Sequence, residues 1–309
     1  MITNEKILLI ANPAAQRGNG KAAADEAAQL LNERLVVDGG TLTCQLTERP
    51  LHAIELAANA PRDQYDVVIA LGGDGIVHEV VNGLMQLPFE QRPTFGLIPV
   101  GSGNDYARTL GISEKVPEAV SQLASAERRL HDVGVCNGEY FAETLSFGLD
   151  AAIALDTVER RMRTGQQGTM LYLMSGLDQL LHHLNTYHAS AVLDGQRTVE
   201  SDVIMFTVQI GQTYGGGFRV CPEADPTDGA FDICYAAAPM SVPEATVKFL
   251  SAKDAHHVGK KKIYFERAAS LELHFDTRPP CQIDGEPHIA DSYSISTVPS
   301  ALNVLVAGK

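Results

Sequence analysis

Three glycine- or asparagine-containing turns in the first third of the chain carry residues that could bind phosphate. They are NPAAQRGNGK (12–21), GGDG (72–75) and GSGND (101–105), and each precedes a helical pattern. Glycine lets the backbone approach a polyphosphate closely, and the N–H groups at a helix N-terminus attract anions. One such turn is also common in strand–helix connections that bind nothing. The three together predict a nucleotide site.

The carboxylate of Asp74 lies among the glycines of the second turn. A carboxylate beside a phosphate is repelled unless a cation lies between them, and Mg²⁺ bridges acidic side chains and phosphates. Alternatively, the aspartate caps the helix that follows it, which is a common use of this residue. Because glycines flank Asp74 on both sides, we favour a role at a metal ion or at the ribose.

The elements that must position these turns change in type near Leu130. Before it, strand-like runs such as KILLIAN (6–12) and YDVVIALGG (65–73) alternate with helical patterns, which predicts a parallel sheet covered on both faces. After it, Asn-Gly and Asp-Gly pairs at 137–138 and 194–195 predict hairpins in a mainly antiparallel β-sandwich-like domain that contains one helix. We therefore predict two domains, 1–131 and 132–309, with the final strand free to return to the first.

Composition excludes several classes of protein. The chain has 309 residues and a formal net charge of −14, which argues against a nucleic-acid partner. Its five cysteines form no C-x-x-C pair, so we expect neither a disulfide framework nor a zinc site. No stretch approaches the ~20 apolar residues that span a bilayer. We expect a cytoplasmic protein, able to contact the inner face of the membrane peripherally.

Four motifs together carry a family resemblance. GGDG with HEVVNGL, PVGSGND, CPEADPTDGAFDI and QIDGEP occur in this order along nearly the whole chain. The chain thereby resembles the diacylglycerol kinase catalytic-domain family of soluble bacterial lipid kinases. The resemblance implies an α/β nucleotide-binding domain, a β-sandwich-like second domain, and ATP as phosphate donor. It also implies transfer of the γ-phosphate to the hydroxyl of a neutral membrane lipid, first of all diacylglycerol, giving phosphatidate.

The resemblance also implies which residues hold ATP. Those of the GGDG turn would bind the phosphates, and Ser102 would donate a hydrogen bond. Thr47 matches a family threonine at the end of the second strand, although a β-branched strand residue is an equally good explanation. The implied nucleotide residues are Asn12, Thr47, Gly72, Gly73, Asp74, Gly75, Ile76, Val77, His78 and Ser102.

A metal site is implied by DPTDGAFD. There the Asp228 carboxylate and the backbone carbonyls of Asp225 and Ala230 would hold a structural Mg²⁺, a hard cation that prefers oxygen ligands. The alternative is an ordinary Asp-Gly turn between two strands.

Phosphoryl transfer needs a group that accepts the proton of the lipid hydroxyl. QIDGEP supplies Asp284 and Glu286, which lie on one face if the segment is extended. The resemblance favours Glu286 as the base, with Asp284 as its rival.

Two residues depart from the family pattern. Ile76 and His78 stand where the family has a hydroxyl and, often, an amide, so one hydrogen bond worth ~0.5–1.5 kcal/mol can be lost and ATP binding weakened by roughly tenfold. The alternative functions are therefore a catalytically weak or inactive nucleotide- or lipid-binding relative, a kinase for another lipid, and an NAD kinase, which shares GGDG.

Two basic clusters are candidates for contact with anionic lipid. They are Arg160, Arg161 and Arg163, and the lysine run 260–262, although solvated charge runs are common. The sequence is compatible with a homodimer and does not determine the oligomeric state.

Overall fold

The computed structural model describes residues 4–34, 39–166 and 169–308. The chain forms two compact units, 1–131 with 300–309 and 132–299. Each has its own sheet architecture, parallel in the first and mainly antiparallel in the second, which confirms the predicted fold class.

The first unit is built on a parallel sheet. Its strands are β1 (Lys6–Ala11), β2 (Thr41–Leu46), β3 (Val67–Gly72) and β4 (Thr94–Pro99), in the order β2-β1-β3-β4. Val304, near the chain's end, pairs in parallel with Phe95 of β4. Every residue of β3 and β4 is buried, because a parallel sheet has helices on both faces and so selects continuous apolar runs.

Six helices and a 3₁₀ turn connect these strands. They are α1 (Ala15–Gly18), α2 (Gly20–Arg34), α3 (His52–Ala58), α4 (Asp74–Leu84), the turn at Phe89–Gln91, α5 (Asp105–Leu110) and α6 (Val116–Ser125). Helix α4 begins at the GGDG turn and buries Ile76, Val77, Val80, Val81 and Leu84. This apolar face fixes the start of α4 at the end of β3.

The second unit is mainly antiparallel. Its strands are β5 (Glu127–Cys136, from residue 132), β6 (Glu139–Phe141), β7 (Thr144–Gly148), β8 (Tyr187–Leu193), β9 (Arg197–Gln209), β10 (Phe231–Ala237), β11 (Ile263–Ala268), β12 (Ser270–Phe275), β13 (Cys281–Ile283), β14 (Glu286–Pro287) and β15 (Ser292–Val306, to residue 299). The order is β14-β13-β7-β9-β8-β12-β15, and β10 lies between β9 and β11. Both predicted hairpins are confirmed, since Asn137-Gly138 and Asp194-Gly195 adopt positive φ in the turns.

Three helices belong to the second unit: α7 (Leu149–Thr164), α8 (Thr169–His182) and α9 (Val242–Ala252). The sequence predicted only α8, so the expectation of one helix was wrong. Helix α9 carried a readable signal, because its N-cap Ser241 accepts a hydrogen bond from the Glu244 N–H at 3.4 Å, in an S-x-x-E pattern. Helix α7 follows β7 without a turn, and its polar last turns obscure its period.

Candidate active site

The predicted nucleotide residues meet at one edge of the first unit's sheet. The ladder continues one residue beyond the strands: the Asn12 N–H donates to Leu71 O at 3.1 Å, and the Thr47 N–H donates to Ala11 O at 2.9 Å. The Val100 N–H likewise donates to Gly72 O at 2.8 Å. Ends of parallel strands share an edge, so these pairs bring together turns that lie up to 89 residues apart in sequence, from 12 to 101.

Asp74 joins the second turn to the third. Its Oδ2 accepts the Asn104 N–H at 2.9 Å, and its Oδ1 accepts the Asp105 N–H at 2.9 Å. The carboxylate thus caps α5 across the sheet edge, whereas α4 has no side-chain cap. The expected alternative, that Asp74 caps its own helix, is wrong, and the role at a metal or ribose stays a prediction.

Close packing explains the glycines of the two turns. A Cβ on Gly103 would collide with the Asp74 carboxylate, and one on Gly101 would collide with the Gly73 backbone. Asn104 completes the junction, with a positive φ of 55° and a side chain that accepts the Gly101 N–H at 2.9 Å. Sequence reasoning missed this role of Asn104, although the residue lies within the quoted GSGND.

The two departures from the family pattern are both buried. Ile76 is 5% exposed, and a Cβ built on Gly72 would lie only 2.7 Å from the Ile76 Cγ2. His78 is also 5% exposed and contacts the Asn82 side chain one turn later. Val77 is buried in the same helix, and Ser102 is partly exposed at the turn. Backbone groups are therefore what Ile76 and Val77 can offer a ligand.

Asp284 is a clamp within the second unit. Its carboxylate accepts the N–H groups of Ala142 at 2.9 Å, Glu143 at 3.1 Å and Thr144 at 2.9 Å. Its own N–H donates to Thr144 O at 2.8 Å. These bonds fix the β13–β14 turn, where Asp284 has a φ of 48°, to the start of β7.

Glu286 lies two residues further on, in β14, and is exposed. It therefore follows directly from a turn that Asp284 holds rigidly, which suits a side chain that must be presented to a substrate. The Glu143 carboxylate is buried at 5% exposure beside the same clamp and lies against Gly211. Sequence reasoning missed Glu143, for which AET gives no signal.

The DPTDGAFD loop forms an Asp-Gly turn with acidic surroundings. The Asp228 Oδ1 accepts the Ala230 N–H at 3.1 Å, and its Oδ2 pairs with Arg267. Asp225 accepts both the N–H and the hydroxyl of Thr227. Asp132, which sequence reasoning missed, accepts the Gly229 N–H at 2.6 Å.

Burial raises the pKa of Asp232, and so do the nearby Asp228, Glu223 and Asp225 carboxylates, while Arg267 lowers it. Among the described residues, no group of three or more His, Cys, Asp or Glu side chains is placed to hold a metal. The predicted set of one carboxylate and two carbonyls differs in kind from such a group and stays a prediction.

The two predicted basic clusters are partly neutralised. Arg160 pairs with Asp156 and Asp178, and Lys262 pairs with Glu244 at 3.1 Å. Arg163 and Lys261 are exposed. No helix within residues 4–34, 39–166 and 169–308 is long and apolar enough to cross a membrane.

Two family models match consecutive parts of this chain. The "Diacylglycerol kinase catalytic domain" matches residues 6–136, and the "YegS C-terminal NAD kinase beta sandwich-like domain" matches residues 143–306. A "Diacylglycerol kinase" of Bacillus subtilis (strain 168) is 29% identical over 76% of this chain and 75% of its own length. A "Probable lipid kinase YegS-like" of Chromohalobacter salexigens is 28% identical over 92% of this chain and 90% of its own length.

Crystal structures share the fold. A diacylglycerol kinase from Bacillus anthracis superimposes with a TM-score of 0.78 at 23% identity, covering 98% of this chain and 97% of that one. An NAD kinase from Archaeoglobus fulgidus in complex with ATP superimposes with a TM-score of 0.54 at 15% identity, covering 98% and 93%. At these identities the likeness shows the fold alone.

Proposed function

Because this chain belongs to the diacylglycerol kinase catalytic-domain family, we propose that it is an ATP- and Mg²⁺-dependent lipid kinase that converts diacylglycerol to phosphatidate. The observation that carries the proposal is the junction at Asp74, whose carboxylate binds two N–H groups of the GSGND turn and so unites two glycine turns at one sheet edge. The relatives named diacylglycerol kinase support the choice of lipid.

Phosphate binding is assigned to the start of α4. This helix of 11 residues begins after Gly73, an extended N-cap without a side-chain hydrogen bond, so its first-turn N–H groups can bind phosphate oxygens. Gly73 and Gly75 carry no side chains that would keep a polyphosphate away. Asn12, Thr47 and Ser102 lie at the same edge and suit contacts to the rest of the nucleotide.

Glu286 is assigned as the general base. It takes the proton of the lipid hydroxyl, whose oxygen forms a bond to the γ-phosphorus while the bond from that phosphorus to the β,γ-bridging oxygen breaks and ADP leaves. Asp284 suits this role less well, because three backbone N–H groups already engage its carboxylate. We assign it the positioning of the turn that carries Glu286.

Magnesium is assigned two places. Mg²⁺ bound with ATP supplies positive charge that neutralises the phosphate oxygens during transfer. A structural Mg²⁺ would be held by the Asp228 carboxylate and the carbonyls of Asp225 and Ala230. These oxygen donors fit a hard cation, and the mutual repulsion that helps to raise the pKa of Asp232 favours one there. Arg267 already partly compensates this charge.

Peripheral contact with the membrane is supported by an exposed apolar stripe on α8. Met170, Met174, Leu177 and Leu181 are spaced by four, three and four residues, and their exposed fractions run from 37% to 67%. This spacing places them on one helix face. Such a face can enter the boundary between headgroups and acyl chains of a bilayer.

The first experiment measures transfer of labelled γ-phosphate from ATP to dioleoylglycerol in mixed micelles with Mg²⁺, beside sphingosine, ceramide and phosphatidylglycerol. We expect labelled phosphatidate, reduced at least 100-fold in Glu286→Gln and unchanged in the matched control Glu200→Gln, which alters an exposed glutamate of β9. Label on another lipid would keep the reaction and change the substrate.

Retained activity in Glu286→Gln would refute the assignment of the base. Folded protein that binds ATP and labels none of the lipids would favour the second candidate, a binding protein without kinase activity. The buried Ile76 and His78 motivate that candidate. Phosphorylation of NAD instead of lipid would favour an NAD kinase.

A further inference from the structure

An apolar cavity lies within the second unit, walled by α7, α8, α9 and strands of the sheet. Its atom-free space measures about 560 Å³, part of it open to solvent, which falls in the range of ~300–1,000 Å³ typical of small-molecule sites. Aromatic and aliphatic side chains form most of the wall, among them Ile153, Tyr172, Ile204, Phe218 and Phe249.

Two glycines shape this wall. A Cβ on Gly215 would collide with the Tyr172 ring, and one on Gly176 would collide with the Phe249 ring. Both rings also pack on Phe218, at centroid distances of 5.1 Å each. The rings are therefore seated in fixed positions, and the wall is part of the packed structure.

Asp150 is the carboxylate of this wall. It is 3% exposed, and its Oδ1 accepts the Tyr172 hydroxyl at 3.3 Å. Its Oδ2 is buried and has no hydrogen-bond partner among the described residues. An unmatched buried acceptor costs free energy, so a donor arriving in the cavity would be bound there.

The other polar groups near the cavity are accounted for. The His257 Nε2 contacts Val220 O at 2.9 Å, and burial lowers the pKa of this histidine, so it is uncharged near neutral pH. The Lys248 ammonium pairs with Glu244 at 2.5 Å. The thiols of Cys221 and Cys234 face Asp150, and burial raises the pKa of both, so they stay neutral. Asp150 is thus the group whose charge can change near pH 7, because burial raises its pKa to about 7.

We propose that this cavity binds one hydrocarbon chain of an uncharged long-chain ligand, and that Asp150 Oδ2 accepts a hydrogen bond from the ligand's hydroxyl. The apolar wall receives the chain, and the single unmatched acceptor selects a ligand with a donor over one without. The inference rests on the proposed function only in that such a ligand would be the lipid acceptor. Binding itself needs neither ATP nor Glu286.

The test measures binding to the full chain by calorimetry, with 1-decanol and its matched analogue without a donor, 1-methoxynonane. We expect saturable binding of both and about tenfold tighter binding of the alcohol. Ile153→Phe, which fills the cavity, should abolish binding, whereas the matched control Val158→Phe on the exposed face of α7 should bind as the wild type does. Asp150→Leu should bind both compounds with equal affinity.

The outcomes separate the parts of the inference. Absence of saturable binding in folded wild-type protein overturns it. Equal affinity of the wild type for alcohol and ether overturns the role of Asp150. Unchanged binding in Ile153→Phe, shown to be folded by circular dichroism, overturns the location. Because the measurement omits ATP, a protein that binds decanol and phosphorylates no lipid would contradict the proposed function and support this inference.

Discussion

The buried carboxyl of Asp150 makes the stability of this protein depend on pH in a predictable direction. The folded chain raises the pKa of this group from 3.8 to about 7, mainly by burial, while the hydroxyls of Ser146 and Tyr172 act in the opposite sense. The folded state therefore keeps the proton up to about pH 7, whereas the unfolded state loses it near pH 4. Between these values the folded state binds more protons, so the free energy of unfolding falls as pH rises.

The magnitude follows from the same two values. At about 1.4 kcal/mol per pH unit, the interval from 3.8 to about 7 corresponds to about 4 kcal/mol, which is fully present below pH 4 and lost above pH 7. Since the sequence pI is about 5.1, measurements near pH 5 would suffer from low solubility. Between pH 5.5 and pH 8.5 the expected loss is about 2 kcal/mol.

Asp150→Asn isolates this contribution, because an amide of nearly the same shape stays neutral throughout. We expect the free energy of unfolding in urea, followed by circular dichroism, to fall with pH about 2 kcal/mol less in the variant than in the wild type. The control Asp254→Asn, at an exposed position, should follow the wild type at every pH. Stability curves of Asp150→Asn and wild type that run parallel within about 0.5 kcal/mol would refute the reasoning.

Three further predictions concern the clamp, the glycine turn and α8. Asp284→Ala should lower the free energy of unfolding by about 2–4 kcal/mol, because three N–H groups lose their acceptor; a loss below 1 kcal/mol in urea titrations would contradict the clamp. Ile76→Thr should tighten ATP binding up to about tenfold in calorimetry and cost about 1–2 kcal/mol of stability; unchanged affinity would show that the hydroxyl does not reach ATP. Met174→Glu should weaken sedimentation with vesicles containing phosphatidylglycerol about tenfold, while Gln179→Glu, with the same change in charge, should not; equal effects would indicate electrostatics alone.

The parallel half of the fold was predictable because its signals are local. Runs such as VVIALG, continuous in buried β-branched and aliphatic residues, end directly at glycine turns, and parallel strands place those ends at one edge. The hairpins at Asn137 and Asp194 were predictable for the same reason, since an Asn-Gly or Asp-Gly pair specifies a turn with positive φ. Helix α7 was not predictable in this way, because its buried face is matched to a sheet that the sequence does not describe.

The roles of single carboxylates were less readable than the motifs that contain them. Asp74 was recognisable as unusual, yet its partners are backbone groups 30 and 31 residues away. Asp284 binds backbone groups 140 to 142 residues away. Asp150 was not singled out at all, because a cavity arises only where several elements converge. Chemistry that depends on backbone donors from distant turns leaves no pattern of side-chain types in the sequence.

The isoleucine that follows the GGDG turn can now be placed physically. Its Cγ2 lies over Gly72, where any side chain would collide with it, so the pair forms one packing unit at the base of α4. Threonine, the residue typical of the family, is also β-branched and can place its methyl group where the Ile76 Cγ2 lies. The exchange therefore keeps the contact that positions the turn and removes only the hydroxyl. Its expected consequence falls on ligand affinity rather than on folding, which is why Ile76→Thr separates a weakened kinase from a protein that only binds.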